Sequence, residues 1–181
     1  MEIIEVNKDN YKLAIELQAR IFPHEKSPEQ VIIGIETKNP INYICYKKGK
    51  PVGIFGFYYD ENLPQHVLFN WYGVLSEYRG HGYGKEILLD AIEYAKKTGK
   101  KYLTFWTNKE ENKIAVELYK KNDFDVRDYC CKEDVKKLRL MGDSKPYVVG
   151  VYKLTKNKEV IDFSKLDMQI SKQVGILDEF N

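Results

Sequence analysis

Val74-Leu75-Ser76-Glu77-Tyr78-Arg79-Gly80-His81-Gly82-Tyr83-Gly84-Lys85 joins a segment that reads as a strand to one that reads as a helix. Upstream, His66 to Leu75 is rich in aromatic and β-branched residues, the composition of a pleated, largely buried strand. Downstream, Ile87, Leu88, Ala91, Ile92 and Ala95 recur at helical spacing, and Thr98-Gly99 supplies the stop. The three glycines between them bring bare backbone N–H groups to a helix amino terminus, where unpaired amides and the helix dipole favour an anion. Two phosphate motifs fit poorly. Gly80 to Gly84 leaves three intervening residues where a P-loop needs four, and Glu86 stands where the magnesium-holding hydroxyl would be; the spacing is GxGxG, whereas a dinucleotide fingerprint is GxGxxG. A turn that merely reverses the chain would also use such glycines.

Working outward, Lys48-Gly49-Lys50 separates two strand-like runs, Ile41 to Lys47 and Pro51 to Tyr59, and predicts a hairpin. Before it come a short strand, Glu2 to Val6, a helix over Tyr11 to Phe22, and a second helix that begins at Ser27-Pro28-Glu29-Gln30 with a capping-box pattern. After the long helix follow a strand at Tyr102 to Thr107, a helix around Ile114 to Tyr119, and strands at Phe124 to Tyr129 and Tyr147 to Leu154. This order predicts a mixed α+β fold, a central and mostly antiparallel sheet with helices on both faces. Residues 1–154 read as one domain. Residues 155–181, whose apolar positions fit strand or helix equally, read as an extension packed on that domain or on the partner chain of a homodimer.

Composition narrows the function classes. At 181 residues with 43% hydrophobic content the chain can bury an ordinary core. A net charge of +2 gives no reason to expect a nucleic acid or a membrane surface as partner. The amino terminus lacks a signal-peptide pattern, no apolar run approaches the roughly 20 residues that span a bilayer, and three cysteines, an odd number, suit reduced thiols; a cytoplasmic location is expected. No histidine or cysteine has ligand spacing, so no metal is expected, and without a paired histidine the cysteines offer no covalent nucleophile.

The segment Val74 to Gly84 resembles the acetyl-CoA signature of the GNAT superfamily of N-acetyltransferases, Q/R-x-x-G-x-G/A at the end of the fourth strand, with Arg79, Gly82 and Gly84 at the defined positions. The resemblance continues through Asn112-Lys113-Ile114-Ala115-Val116-Glu117-Leu118-Tyr119-Lys120-Lys121-Asn122-Asp123-Phe124, similar to the family's following helix with its Asn-x-x-Ala start, Tyr and terminal Gly-Phe. Asp123 stands where that glycine is usual.

The resemblance implies an enzyme that binds acetyl-CoA, or coenzyme A, through Val74, Leu75, Arg79, Gly80, His81, Gly82, Tyr83, Gly84, Lys85, Asn112 and Tyr119, and passes the acetyl group directly to a primary amine of a small molecule or peptide. It implies that Asn112 meets the pantetheine arm and that the Tyr119 hydroxyl reaches the sulfur. The residue types suit those tasks: an amide both donates and accepts, and a phenol with pKa near 10 can protonate a departing thiolate. Tyr119 is otherwise a core aromatic. The family often takes the acceptor's proton with a glutamate or a held water on the fourth strand. Here strict alternation would put His66, Leu68, Asn70, Tyr72 and Val74 on one face, with no carboxylate among them. Asn70 or Tyr72 holding a water is the expectation, His66 standing behind them and Asp60 and Glu61 in the preceding loop left open. The competing reading is a non-catalytic sensor or interaction module of the same fold. Acceptor choice would rest on the first two helices, the 60–65 loop and the 132–145 stretch, none of which carries a readable motif.

Overall fold

The computed structural model describes residues 1–23, 28–129, 146–156 and 158–166, with the backbone alone at 28–30. The expected Ser27 cap with Gln30, the 132–145 stretch, Cys130, Cys131 and most of the carboxy-terminal extension lie outside these residues. The described residues form a mixed α+β fold of seven mostly antiparallel strands and four α-helices. It divides into two compact units, Met1–Leu103 and Thr104–Asn181, and passes from one to the other within a strand. Among the described residues, no helix is long and apolar enough to cross a membrane.

In the first unit, β1 (Glu2–Glu5), β2 (Ile41–Lys47), β3 (Lys50–Tyr58) and β4 (His66–Val74) form an antiparallel meander in that order. The hairpin expected at Lys48-Gly49 is present. Both residues have positive φ, 51° and 73°, and Lys47 pairs with Lys50 across them, the two-residue geometry whose twist matches the flanking strands. Helices α1 (Tyr11–Ile21) and α2 (Pro28–Thr37) cover one face, where Ala14, Leu17, Ile21 and Val31 share a core with Ile44 and Ile54. Helix α3 (Tyr83–Lys96) covers the other. There Tyr94 meets the rings of Tyr43 and Phe55, and a side chain on Gly53 would run into Ile87. The first unit's sheet therefore carries helices on both faces, as the element order predicts.

Strand β4 does not alternate as expected. The register slips by one residue between Ile54 and Gly56, so that Trp71 and Tyr72 together oppose Phe55, and Trp71 takes φ 53°. This β-bulge inverts the phase of everything after it. Asn70, paired with Gly56, and Gly73, against Ile21 and Phe22, face α1 and α2. Trp71 packs on the same side, edge-on to Phe22. Tyr72 points to the opposite face, stacked on Phe69 and bonded to the start of α3. The expectation that Tyr72 and Val74 share a face with His66, Leu68 and Asn70 is thus corrected, because period-two counting holds up to Asn70 and fails across the inserted residue.

In the second unit, β5 (Tyr102–Asn108), which begins in the first unit, is followed by α4 (Lys113–Lys120), β6 (Asp125–Asp128) and β7 (Tyr147–Lys153), with β7 between β5 and β6. Phe105, Tyr119 and Phe124 form its aromatic core. Gly150 makes room for it, since a side chain there would strike the Phe105 ring. A short 3₁₀ turn at Phe163–Lys165 buries Phe163 beneath the Arg127 guanidinium, 4.4 Å from the ring centroid.

Candidate active site

The glycine turn is built as its sequence suggests. After β4, Leu75 is buried and its N–H donates to Val52 O at 3.0 Å, so this amide is already used within the sheet. A 3₁₀ turn at Ser76–Tyr78 follows, and Arg79 Nε reaches back to Val74 O at 3.1 Å, tying the strand end to the turn. Gly80 and Gly82 both stand at φ 80°, a region that L side chains rarely adopt, and nothing lies within 4 Å of where a Cβ on either would be. Gly82 is the N-cap of α3 and lends no side chain to its amides. The first bond of the helix runs from Glu86 N–H to Gly82 O at 3.2 Å, so the amides of Tyr83, Gly84 and Lys85 precede the helical ladder. Bare amides, a helix dipole and open space above two left-handed glycines together form a cradle that a diphosphate fits. His81 Nδ1 lies 2.9 Å from Arg79 O, and its ring stacks on Tyr83.

Tyr72 supports this cradle. Its hydroxyl donates to Gly84 O at 2.7 Å, and burial pushes its phenol well above the ordinary range. On the other face, Asn70 sits among amide and aromatic groups. With its amide oriented to satisfy its neighbours, the nitrogen donates to Gly56 O at 3.1 Å and the oxygen accepts from Trp71 Nε1 at 2.9 Å. His66 is buried against Tyr102, and burial lowers its pKa to about 4, which leaves a neutral ring at pH 7. Asp60 closes its own turn by accepting from the backbone and side-chain nitrogens of Asn62.

In the second unit, Asn112 is the N-cap of α4 and is exposed. Its Nδ2 donates to Thr107 Oγ1 at 2.9 Å, which fixes the orientation of the amide. Asn108 Oδ1 accepts from the amides of Glu110 and Glu111 and shapes the loop that delivers Asn112. That residue escaped the sequence reading, although an asparagine four residues before a helix N-cap is a usable signal of a side-chain-closed turn. Tyr119 is only 5% exposed and stacks on Phe105 with centroids 3.8 Å apart, so its ring belongs to the core. Asp123 takes φ 65°, the left-handed conformation that suits the glycine more usual at this place in the motif. Among the described residues, no cluster of three or more His, Cys, Asp or Glu could hold a metal ion.

The sequence model of the GNAT family of acetyltransferases matches residues 11–124, and the chain belongs to that family. An uncharacterised N-acetyltransferase of Methanocaldococcus jannaschii is 34% identical over 94 residues, 48% of this chain and 39% of that protein, so the chain spans well under half of this relative's length. Among solved structures, the ribosomal-protein-S18-alanine N-acetyltransferase of Escherichia coli superposes with a TM-score of 0.65 at 15% identity, over 89% of this chain and 98% of that one. An acetyltransferase of Bacillus subtilis solved with CoA gives 0.65 at 21% identity, over 85% and 99%. At these identities the likeness is one of fold.

Proposed function

We propose that this chain is an acetyl-CoA-dependent N-acetyltransferase that moves the acetyl group directly to a primary amine, with residues 1–154 as the catalytic domain and 155–181 as an extension to it. The observation that carries the reading is the cradle at the start of α3, where two glycines at φ 80° stand under open space beside three amides that precede the helical ladder. The coenzyme supplies the activated acetyl thioester. Its diphosphate is held by the amides from Gly80 to Lys85, and its pantetheine arm is oriented by the Asn112 amide. The amine nitrogen attacks the thioester carbonyl carbon, the C–S bond breaks with its electron pair going to sulfur, and the Tyr119 O–H supplies the proton that the thiolate takes up. The proton lost by the amine passes to water held by Asn70. Tyr72 keeps to its bond with Gly84 and acts as a support. Family membership and the presence of CoA in a structural neighbour favour the same reading.

Calorimetric titration with CoA tests it. Gly82→Val should weaken binding severely, whereas Gly99→Val, at φ 73° with equally open space at the far end of α3, carries a similar backbone strain and should leave binding intact. Equal affinity in folded Gly82→Val and wild type would remove the cradle. Release of free thiol from acetyl-CoA with a panel of primary amines tests turnover, and binding without release would identify a sensor or interaction module.

A further inference from the structure

Four ionic groups flank the first two turns of α3. The Lys47 ammonium stands 2.6 and 2.9 Å from the two carboxylate oxygens of Glu86. The Met1 ammonium lies 3.3 Å from Glu86 and 3.5 Å from Asp90. Two carboxylates and two cations cancel. Lys47 is the last residue of β2, and the tight hairpin after it holds that strand end against the helix start. Its Nζ also lies 5.8 Å from the centroid of the Tyr83 ring, on the first residue of α3. Lys47 and Glu86 are each about one-third exposed, so water screens the pair only in part. The hydrogen bond from Lys47 holds the Glu86 carboxyl below its usual range, and the carboxylate stays ionised.

Glu86 is out of place for an anion-binding helix. A carboxylate in the first turn favours the helix itself, but here it competes with the charge that the cradle is built to receive. Glu86 follows the N-cap by four residues, roughly 6 Å along the axis. We infer that Lys47 is a positioning residue for coenzyme binding, neutralising Glu86 so that the cradle at Gly80 to Lys85 faces the diphosphate without a competing negative charge, while not touching the ligand itself. The inference rests on the acetyl-CoA reading above.

The test compares wild type with Lys47→Met, Lys47→Arg, Glu86→Gln and the double variant Lys47→Met/Glu86→Gln, using CoA affinity and steady-state kinetics with acetyl-CoA and with acetyl-pantetheine, which lacks the phosphates. One uncompensated charge roughly 6–10 Å from a diphosphate at a partly exposed site predicts a CoA Kd about three- to tenfold weaker in Lys47→Met. kcat should be unchanged and the deficit should shrink at high salt. Lys47→Arg and the double variant should bind as wild type does, and Glu86→Gln alone should bind CoA more tightly. Acetyl-pantetheine should give the same KM in every variant. A double variant as weak as Lys47→Met would overturn the inference, because Lys47 would then act on the ligand or the fold directly. An equal loss with acetyl-pantetheine would do the same. If Lys47→Met does not fold, Glu86→Gln decides alone, and no gain in CoA affinity there overturns the inference. Wild-type protein that does not bind CoA would remove the acetyl-CoA reading and this inference with it, a result visible before any variant is made.

Discussion

Gly150→Ala puts a methyl group where the structure has no room. Gly150 lies in β7, its φ is not positive, and the substitution therefore adds no backbone strain; the effect is packing alone. The new Cβ would collide with Phe105 Cε1 and Cζ and come within 3.0 Å of Cδ1. Phe105 cannot slide away easily. It is 2% exposed, lies against Tyr119 on one side and contacts Phe124 with centroids 5.5 Å apart. Overpacking of this kind typically costs 1–3 kcal/mol, and a rigid ring held from two directions places this case near ~2 kcal/mol. For a domain of this size that corresponds to a fall in Tm of about 4–8 °C. Thermal and urea unfolding would measure it. Phe105→Leu alone should lose about 1–2 kcal/mol of packing, but in combination with Gly150→Ala it opens the space the methyl needs, so the double variant should be more stable than the sum of the singles predicts. Because Phe105 is also the floor under Tyr119, Gly150→Ala should lower kcat more than it changes CoA affinity. A Gly150→Ala protein that melts with wild type, or strictly additive losses, would refute the packing described for this core.

Three further outcomes follow from the same physics. Tyr119→Phe keeps the stacked ring and loses the hydroxyl, so it should lower kcat by about 10²-fold or somewhat less, with the deficit narrowing as pH rises and thiolate becomes an easier leaving group; full kcat across the pH range would return Tyr119 to a purely structural role. Asp123→Gly removes a left-handed aspartate at φ 65° and should raise stability by about 0.5–1 kcal/mol in urea unfolding. His66 has a folded pKa of about 4, below the unfolded value near 6.5, so the unfolded chain binds more protons and stability should fall as pH drops from about 6.5 to 4. His66→Gln should flatten that slope, and an unchanged slope would place the acid sensitivity in other groups.

Much of this was readable from local signals. The Lys48-Gly49 hairpin, the left-handed glycines before α3 and the aspartate at the end of α4 all express φ requirements that leave marks in a single short stretch. The bulge at Trp71 left none. A bulky residue at positive φ contradicts local preference, and only the pairing of β3 with β4 enforces it. That is why Asn70 and Tyr72 read as neighbours on one face when they are on two. Lys47 was equally silent, because its partner Glu86 is 39 residues away and a lysine at a strand end carries no motif. Tyr119 shows a third kind of limit: spacing placed it correctly on its helix, yet a core ring and the proposed proton donor would occupy the same position and look alike in sequence.

The inserted residue in β4 also gives the strand two independent addresses. Up to Asn70 the even-numbered residues face α1 and α2, and from Tyr72 onward the odd-numbered ones do. Deleting Trp71 would leave Tyr72 alone opposite Phe55 and restore a regular ladder, with Asn70 still across from Gly56 and Gly73 still across from Ile54, while removing the ring that packs edge-on to Phe22. The extra residue is therefore absorbed locally: pairing with β3 holds on either side of it, and the turn that follows β4 keeps its place on the sheet.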